Sequence, residues 1–494
     1  MTNMMPHWLD KRADLTPNHI AIQQPFKDPI TFIELKTKAK SLAKRLSSAG
    51  VSLGSRVGVY SPNSAEMVVV LHSLSYLGAV AVLINTRLST SEVSHQLTDA
   101  NVSLLLTSDE ASGACQSIVQ SLASPISLYS FSDVWRLGEK ETNLRTEIDL
   151  NAPFTIIYTS GTTGFPKGVV HTYGNHWWSA ISSALNLGLD VNEKWLAALP
   201  LFHVGGLSIL LKSCIYGMTV YLLEKFDVEA VHHAIMNEGV TIASVVSVML
   251  DRLLQWLQSE YYPSTFRCML LGGGPAPKPL LERAAQANVP VFQTYGMTET
   301  SSQIATLSPN NALDKLGSAG KALFPAQLKI INENGNEQPA FVYGEIYVKG
   351  PMVTNGYFHN EDANKRSFHN GWLATGDIGY FDEDGFLYVV DRRKDLIISG
   401  GENIYPAEIE SVLLGMEGVE EAGVTKKADE KWGSVPIAFL VRSDTKLTEE
   451  QVLAFCHAKL ANYKIPKEIY FVDTLPRNAS NKLVRHKLTR FIPK

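Results

Sequence analysis

A glycine-rich segment with several hydroxyl groups and one lysine follows a short apolar run in the first half of the chain. Residues 158–168 contain three glycines, four serine or threonine hydroxyls and Lys167. Glycines let a backbone turn sharply and approach a ligand closely, and the N–H groups of such a turn form a concavity that binds anions. A lysine adds a point charge suited to phosphate. The segment therefore predicts a polyphosphate cradle built from Thr159, Ser160, Gly161, Thr162, Thr163, Gly164, Lys167 and Gly168.

The segment differs from the Walker A loop, in which Gly-Lys is followed by Ser or Thr at the start of a helix. Here Pro166 precedes Lys167 and Gly168 follows it. The alternative interpretation is a polar surface turn between two strands. The density of glycines and hydroxyls favours phosphate binding instead. A P-loop-like phosphohydrolase is the alternative from another class of enzyme, and it would release phosphate rather than pyrophosphate.

Two later apolar runs also end in residues that suit a nucleotide. Residues 272–274 are three glycines, which leave room for a flat ring against the backbone. After the next run, Tyr295 could stack on a base, Thr298 could donate to a phosphoryl oxygen and Glu299 could hold magnesium. Alone, such glycines often mark plain turns and such an acid is often solvated. Together they fit a ligand beyond the carboxyl ends of parallel strands.

Three single residues have two interpretations each. His203 lies where an apolar run enters a turn predicted at Gly205 and Gly206, and it is either a core residue or a side chain lining an acyl pocket. Lys212 interrupts an apolar stretch, and it either reaches the surface or supplies a cation for a substrate carboxylate. Asp377 follows Thr-Gly, and it is either a turn residue or an acceptor for both ribose hydroxyls.

The C-terminal part of the chain carries a charged run, a glycine turn and a distant lysine. Five charges between residues 391 and 395 form either a solvated face or an interdomain linker. Gly400 and Gly401 make a turn before a helix that starts near Pro406. Lys482 lies in a polar loop, where a lysine is most often only solvated.

The order of predicted elements indicates an α/β fold. Up to residue 106 strands alternate with helices, which predicts a mostly parallel, doubly wound sheet. Residues 108–150 are more polar and predict surface helices and loop. Residues 315–390 have short alternating strands separated by turns, which predicts a small antiparallel β subdomain. We expect a large N-terminal domain of two doubly wound sheets plus this subdomain over residues 1–393, and a small, mobile α+β domain over residues 394–494.

Composition narrows the class of protein. The chain has 494 residues, 45% of them hydrophobic and 19% charged, which suits a globular protein of two or more domains. The net charge of −5 gives no general attraction to nucleic acid. Four widely spaced cysteines and the lack of a secretory signal predict a cytoplasmic protein. The most apolar stretch, residues 67–84, predicts a buried helix and strand, so we expect no membrane insertion.

The motif Tyr-Thr-Ser-Gly-Thr-Thr-Gly-x-Pro-Lys-Gly at 158–168 resembles the phosphate loop of the adenylate-forming enzymes, which include acyl-CoA synthetases, peptide-synthetase adenylation domains and firefly luciferase. The likeness covers nearly the whole chain in the family's motif order. It implies that Lys167 and the loop hydroxyls hold the β- and γ-phosphates of ATP, that Thr298 contacts the α-phosphate and that Glu299 binds Mg²⁺. It places beside the rest of the nucleotide the residues Gly272, Gly273, Gly274, Tyr295, Gly296, Asp377 and Arg392.

The same resemblance assigns roles in the C-terminal domain. It implies that this domain swings about Lys394 between two half-reactions, and that Gly400 and Gly401 lie beside the pantetheine tunnel of coenzyme A. Lys482 matches the lysine that bridges carboxylate and α-phosphate during adenylation. Ser480-Asn481 precedes this lysine where many members have a glycine, and we expect its role to survive that change.

A finer resemblance points to one subfamily and to its substrate. The bacterial 2-succinylbenzoate–CoA ligases of menaquinone synthesis act on an aromatic dicarboxylate, which would give Lys212 a carboxylate to neutralise. Their likeness also places His203 and Ser302 beside the substrate. The segments that resemble this subfamily are 202–208, 272–277, 295–303 and 476–482.

Other functions stay open at this point. Another acyl- or aryl-CoA synthetase would share every nucleotide motif, and a luciferase-like oxidase would use oxygen instead of coenzyme A. A catalytically silent AMP-binding module would have little reason to retain Lys167, Glu299 and Lys482 together. The sequence predicts small-molecule partners and leaves a homo-oligomer open.

Overall fold

The structure of the protein is a computed structural model with an α/β fold. Two large, mostly parallel sheets lie within residues 20–322, a smaller antiparallel sheet lies within residues 327–392, and a three-stranded sheet follows nearer the C-terminus. Among the described residues, no helix combines the length and the apolar character needed to cross a membrane. The structure describes residues 3–159, 166–274, 276–312, 314–392, 395–399, 402–429, 432–443, 445–460, 462–478 and 483–492.

Alternating strands and helices form the first large sheet and its two covering layers. In chain order the elements are β1 (Met4–Pro6), α1 (Trp8–Leu15), β2 (Ile20–Gln23), β3 (Ile30–Thr31), α2 (Phe32–Ser48), β4 (Arg56–Tyr60), α3 (Ala65–Leu77), β5 (Val80–Ile84), α4 (Thr90–Asp99), β6 (Leu104–Thr107), α5 (Ser112–Gln120), β7 (Ser127–Ser130), α6 (Phe131–Arg136), β8 (Glu147–Asp149), β9 (Pro153–Thr159) and β10 (Lys167–Thr172). The sheet order is β10-β9-β5-β4-β6-β7, and only the β9–β10 pair is antiparallel. The predicted doubly wound arrangement is confirmed.

The second large sheet is built mainly from the next part of the chain. Its elements are α7 (Tyr173–Leu187), β11 (Lys194–Ala197), α8 (Val204–Tyr216), β12 (Thr219–Leu222), α9 (Val228–Asn237), β13 (Ile242–Val245), α10 (Ser247–Leu257), β14 (Cys268–Leu271), α11 (Lys278–Gln286), β15 (Val291–Met297), β16 (Ser302–Leu307) and β17 (Lys321–Ala322). The order is β17-β16-β15-β14-β13-β11-β12-β2-β3. Strands β2 and β3, which come from the start of the chain, therefore form one edge of this sheet. One apolar cluster joins Leu74 of α3 to Leu207 of α8, so the two sheets share a core layer.

A separate antiparallel sheet follows. Its elements are β18 (Gln327–Ile331), β19 (Gly344–Lys349), α12 (Glu361–Ser367), β20 (Phe368–His369), β21 (Trp372–Phe381) and β22 (Leu387–Arg392). The strand order is β18-β19-β21-β20, and β22 also pairs with β21, along the edge opposite β19. Asn-Gly and Asp-Gly steps separate these strands, as their turn preferences predict.

The last part of the chain forms the small α+β unit. Its elements are β23 (Ile397–Ser399), β24 (Glu402–Ile404), α13 (Pro406–Leu414), β25 (Val419–Asp429), β26 (Gly433–Arg442), α14 (Glu449–Lys459) and β27 (Ile469–Phe471). Strands β25, β26 and β27 pair in that order, and α13 and α14 cover them. Tyr405, which precedes α13, contacts Tyr343 of the preceding sheet region with ring centroids 5.1 Å apart.

Two predictions about elements are wrong. Residues 108–150 hold the helices that were expected, but also strands β7 and β8, which are too short to show a period and gain their place by pairing with β6 and β1. Gly205 and Gly206 were expected to form a turn, but they lie in the first turn of α8. A Cβ on Gly206 would lie 2.3 Å from the carbonyl oxygen of Pro200, so close packing requires this glycine.

Candidate active site

The two ends of the predicted phosphate cradle lie side by side. Thr159 is the last residue of β9 and pairs with Lys167, the first residue of the antiparallel strand β10. Beyond them both strands lead into the core of the first sheet, so the segment between them is anchored at both ends. The predicted cradle residues Ser160, Gly161, Thr162, Thr163 and Gly164 lie outside the described residues, and their role stays a prediction.

Gly168 was predicted to belong to the turn of the cradle. It lies inside strand β10 instead. A Cβ at this position would lie 3.0 Å from Ile156 and 3.1 Å from the ring of Tyr158. Tyr158 is fixed in turn, since its hydroxyl donates to the Asp99 carboxylate at 2.5 Å. Because glycine has no side chain, Gly168 lets β10 pack closely on β9.

A strained turn follows β15 and presents Glu299. Ser301 and Ser302 both have positive φ, +56° and +134°, which non-glycine residues rarely adopt. Buried hydroxyls hold the turn: Ser179 donates to the Ser301 carbonyl at 2.9 Å, and the Ser301 hydroxyl donates to the Met352 carbonyl at 2.9 Å. Glu299 is only 6% exposed, so the alternative of a solvated acid is wrong. Strained backbone held by its surroundings is typical of functional sites.

Lys167 and Glu299, which come from different sheets, meet at one aromatic ring. The hydroxyl of Tyr357 donates to Glu299 Oε1 at 3.0 Å. The ammonium of Lys167 lies 4.8 Å from the centre of the same ring. Burial lowers the pKa of Lys167, and the charge of Glu299 opposes that shift. The structure thus brings the predicted phosphate lysine and the predicted metal carboxylate into one place.

The donor set beside Lys167 fits magnesium. Mg²⁺ prefers hard oxygen ligands and is commonly held by one or two carboxylates together with substrate phosphates and water. Glu299 supplies a buried carboxylate at the end of a sheet strand. The part of the chain that the structure describes holds no group of three or more His, Cys, Asp or Glu side chains that could form an all-protein cage. A metal here would therefore depend on phosphate oxygens as well as on Glu299.

The predicted base and ribose contacts are also neighbours. Tyr295 donates its hydroxyl to Asp377 Oδ2 at 2.8 Å, and both side chains are buried. Asp377 lies inside β21, so the alternative of a simple turn residue is wrong. In the β21–β22 pair it stands opposite Arg392, whose backbone is described and whose side chain is not. The acid and the arginine predicted to grip the ribose therefore occupy paired positions.

The predicted glycines around the base differ in what they allow. A Cβ on Gly296 would lie 2.1 Å from the Ser302 carbonyl oxygen, so the strained turn excludes any side chain there. A Cβ on Gly272 would approach Thr294 to 3.0 Å. Gly273 has a φ of +89°, which favours glycine for its backbone conformation. Gly274 faces open space, as a position kept clear for a ligand would.

The predicted acyl-pocket residues lie at the start of α8. His203 is the residue that precedes the helix, with its ring edge-on to that of Phe202 at 4.8 Å between centroids. One turn into the helix, the Ser208 hydroxyl lies 3.4 Å from the hydroxyl of Ser302. Helix α8 therefore places Ser208 beside the strained turn that carries Ser302 and Glu299, and His203 lies one turn earlier at the start of the same helix.

Lys212 lies one helical turn beyond Ser208, on the same face of α8. It is 1% exposed, so the alternative interpretation, in which it reaches the surface, is wrong. The ammonium lies 5.2 Å from the centre of the Trp195 ring. Among the described residues no carboxylate lies within 4.0 Å of it, and burial lowers its pKa to about 7. A buried cation without an acid partner is rare.

For the functional residues predicted in the C-terminal domain, the structure describes neighbouring residues only. Lys394, Gly400, Gly401 and Lys482 lie outside the described residues. The segment that contains Lys482 starts and ends at a β-bridge between Arg477 and Leu483. Just after it, Arg485 forms ion pairs with Glu410 at 2.6 Å and with Asp395 at 3.2 Å. Asp395 directly follows Lys394, so the two predicted functional segments are tied to one another.

Sequence reasoning missed two residues of this site. Tyr357 follows an Asn-Gly step, which reads only as a turn. His171 lies in an apolar strand and reads as core, yet its Nε2 donates to the Thr298 carbonyl at 2.6 Å. A carbonyl only accepts, so this nitrogen carries the proton. Both contacts join residues more than 55 positions apart, and no local pattern could have revealed them.

Comparison with known proteins gives matches along the whole chain. A curated 2-succinylbenzoate–CoA ligase of Oceanobacillus iheyensis is 55% identical over 491 residues, which cover 99% of this chain and 100% of that protein. The o-succinylbenzoate CoA synthetase of Bacillus subtilis, in complex with the acyl-adenylate intermediate, is 48% identical with a TM-score of 0.93, covering 98% of both chains. The same enzyme with ATP and a magnesium ion also gives 0.93, covering 98% of this chain and 100% of that one.

A second complex of the Bacillus subtilis enzyme differs in arrangement. A double mutant bound to a product analogue is again 48% identical and covers 99% of this chain and 98% of that one, but the TM-score is 0.76. Because identity and coverage are nearly unchanged, the lower score reflects a different placement of parts of the chain. The arrangement described above therefore matches that of the adenylate complex more closely.

Two family models match successive parts of the chain. Residues 9–358 match the AMP-binding enzyme family, and residues 408–482 match the AMP-binding enzyme C-terminal domain. The first match alone spans more than half of the 494 residues. Together with full-length relatives of the same fold, these matches establish that the chain belongs to the family of AMP-binding enzymes.

Proposed function

We infer that this chain is an acid–thiol ligase that joins 2-succinylbenzoate to coenzyme A through an acyl-adenylate, with release of AMP and pyrophosphate. The observation that carries this proposal is the full-length likeness, at 55% identity, to a ligase of that name. The product belongs to menaquinone synthesis in the subfamily that the sequence resembles. Four buried cysteines without disulfides fit a reducing, cytoplasmic setting.

In the first half-reaction the substrate carboxylate attacks the α-phosphate of ATP. Charge develops on the phosphoryl oxygens, and fixed cations and donors stabilise it there. Lys167 and Thr298 face these oxygens, and Lys482 reaches them from the C-terminal domain. Magnesium, held by Glu299 and the phosphates, would neutralise further charge. No protein nucleophile is needed, because the substrate's own carboxylate forms the new bond.

The nucleoside end of ATP lies toward the third sheet in this proposal. Tyr295 covers one face of adenine, and the glycines of residues 272–274 leave room for the ring. Asp377 accepts from the ribose hydroxyls and Arg392, its partner across β21 and β22, assists. The hydrogen bond of 2.8 Å between Tyr295 and Asp377 supports this assignment, because it links the base contact to the ribose contact.

The acyl substrate lies along α8 in this proposal. His203 and Ser302 line the entrance near the α-phosphate. Lys212, one turn beyond Ser208, neutralises the ring carboxylate at the far end of the substrate. Its burial supports this role, since a buried ammonium without an acid of its own is compensated when a ligand brings one.

The second half-reaction transfers the acyl group to the thiol of coenzyme A and releases AMP. The thiol needs the space that Lys482 fills during adenylation, so the C-terminal domain, residues 394–494, swings about Lys394 between the two steps. Gly400 and Gly401 then lie beside the pantetheine arm. The two TM-scores of 0.93 and 0.76 support the existence of two arrangements in a relative of this chain.

Exchange of labelled pyrophosphate into ATP, across a panel of carboxylic acids, tests the proposal. We expect 2-succinylbenzoate to drive exchange at least about 100-fold faster than benzoate, succinate or a fatty acid, since each lacks one of the required contacts. Faster exchange with another acid would assign the chain to a different acyl- or aryl-CoA synthetase. Release of phosphate without any exchange would support a phosphohydrolase and overturn the proposal.

A further inference from the structure

A short strap of residues, 354–357, connects the phosphate strand to the metal turn. On one side, the Thr354 N–H donates to the Glu299 carbonyl at 2.8 Å. On the other side, the strap lies along β10: the Val170 N–H donates to the Gly356 carbonyl at 3.2 Å, and the Thr354 hydroxyl donates to the Val170 carbonyl. The strap therefore fixes the distance between two segments that come from different sheets.

Tyr357 closes this strap, and its backbone is held in place from α12. The Asn364 side chain accepts from the Tyr357 N–H at 2.7 Å and donates to the Tyr357 carbonyl at 3.1 Å. Gly356, at φ +153°, leaves space for this amide, because a Cβ there would lie 2.8 Å from Asn364 Oδ1. The Tyr357 side chain itself is 7% exposed. Burial and the fixed backbone together restrict the orientation of the ring.

That orientation gives the side chain two contacts with groups that the reaction uses. Its hydroxyl donates to Glu299 Oε1 at 3.0 Å, and its ring lies 4.8 Å from the Lys167 ammonium. A donor on one carboxylate oxygen sets the plane and direction of the carboxylate. Outer contacts of this kind orient metal ligands and change metal affinity about 10- to 100-fold. An aromatic face attracts a cation.

We propose that Tyr357 is a positioning residue of the magnesium and phosphate site. Its hydroxyl orients the Glu299 carboxylate toward the metal, and its ring keeps the Lys167 ammonium beside the phosphates. This inference rests on the proposed roles of Glu299 and Lys167. Tyr357 acts through these two residues and touches neither the substrate nor the reacting atoms, so it is a positioning residue and not a catalytic one.

Two substitutions separate the two contacts. Tyr357→Phe removes only the hydroxyl and leaves the ring, whereas Tyr357→Leu removes the ring face as well. Tyr76→Phe is a matched control, because Tyr76 of α3 is also buried and its hydroxyl also donates to a carboxylate, that of Asp10 in α1, at 2.9 Å. Tyr357→Phe and Tyr76→Phe each lose only a buried hydroxyl, so a general loss of stability affects these two variants alike.

Calorimetry of ATP binding to the full-length enzyme without acyl substrate supplies the test, with Mg²⁺ in one series and excess EDTA in the other. We expect Tyr357→Phe to weaken binding about tenfold with Mg²⁺ and less than about twofold with EDTA. Tyr357→Leu should weaken binding in both series. Tyr76→Phe should change neither, even where it lowers the melting temperature.

A double substitution keeps the inference falsifiable if Tyr357→Leu does not fold. In the Glu299→Gln background, Tyr357→Phe should have less than about a twofold further effect, because the carboxylate that it orients is gone. Equal weakening by Tyr357→Phe with Mg²⁺ and with EDTA, or no weakening at all, overturns the inference. If Glu299→Gln itself leaves Mg²⁺-dependent binding unchanged, the proposed metal role of Glu299 fails instead.

Discussion

At the scale of single residues, Lys212 shows how burial can make a common side chain selective. A lysine is usually solvated, but this one is 1% exposed and lies among the buried residues of α8. No acid among the described residues lies within 4.0 Å of its ammonium, so its charge is not matched by the protein there. In the proposed function the substrate brings the matching charge, and the residue then discriminates between acids with one carboxylate and acids with two.

Lys212→Met tests this role by charge removal at similar volume. We expect kcat/KM for 2-succinylbenzoate to fall about 10- to 100-fold, since a hydrogen bond to a charged group contributes roughly 1.5–3 kcal/mol. With benzoylpropionate, which lacks the ring carboxylate, the same substitution should change kcat/KM less than about threefold. Pyrophosphate exchange with both acids measures the difference. Equal losses with the two acids would contradict a role in recognising the ring carboxylate.

The pH dependence of substrate preference follows from the same residue. Burial lowers the pKa of Lys212 to about 7, so the free enzyme carries this charge below that pH and loses it as the pH rises. We therefore expect the preference for 2-succinylbenzoate over benzoylpropionate to decline above about pH 7, by up to tenfold per pH unit. The Lys212→Met enzyme should give a flat ratio. A wild-type ratio that stays constant from about pH 6 to pH 9 would rule out this titration.

At the scale of elements, the packing of α8 requires a glycine at position 206, whereas the neighbouring Gly205 has room for a side chain. The loop before the helix crosses directly over Gly206, where a Cβ would meet the Pro200 carbonyl oxygen at 2.3 Å. At Gly205 the nearest atom, on Leu199, would lie at 3.4 Å, which is an ordinary contact. The same helix carries Ser208 and Lys212 and begins at His203. Its position relative to the loop therefore sets the shape of the proposed acyl pocket.

Two neighbouring substitutions should have opposite effects on stability. Gly206→Ala forces the loop and the helix apart, and we expect it to destabilise the protein by roughly 1–3 kcal/mol. Gly205→Ala should be neutral or stabilise by up to about 1 kcal/mol, because alanine favours a helix over glycine. Thermal or denaturant unfolding of both variants measures the difference. Equal destabilisation would mean that the loop does not constrain α8 as described.

The elements also show what a sequence can and cannot predict here. Strands such as β4 and β5 and helix α3 were predicted because their patterns are local. Tyr295 and Glu299 were singled out because they follow an apolar run whose end suits a ligand site, and Asp377 because an acid after Thr-Gly could accept the ribose hydroxyls. Tyr357 was missed because its contacts come from residues 58 and 190 positions away. Strand β7 was missed because its four residues gain their structure from pairing with β6.

At the scale of the whole molecule, the proposed reaction needs two arrangements of one chain. The arrangement described here resembles the adenylate complex of a relative, with a TM-score of 0.93. Arg485 ties the segment after Lys482 to Asp395, next to the proposed hinge. A rotation about Lys394 would therefore carry the lysine away from the nucleotide together with the rest of the C-terminal unit.

Two substitutions should divide the reaction into its halves. Lys482→Ala should slow adenylate formation about 100- to 1000-fold, the usual effect of losing one stabilising group at a developing charge. It should leave thioester formation from supplied acyl-adenylate within about threefold. Lys394→Pro, which fixes φ, should do the reverse. Single-turnover assays of each half-reaction measure both, and a parallel loss of both halves in either variant would contradict the assignment.

Three sheets contribute to the proposed nucleotide site: Lys167 starts a strand of the first, Glu299 follows a strand of the second, and Asp377 lies in the third. A nucleotide bound across all three sheets would add to the packing and the hydrogen bonds that already join them, such as the bond between Tyr295 and Asp377. Any ligand that binds the folded state alone raises its stability, by about 2.7 kcal/mol at a concentration 100 times the dissociation constant. The melting curve of the loaded enzyme therefore reports how well the sheets are aligned, even after changes far from the nucleotide.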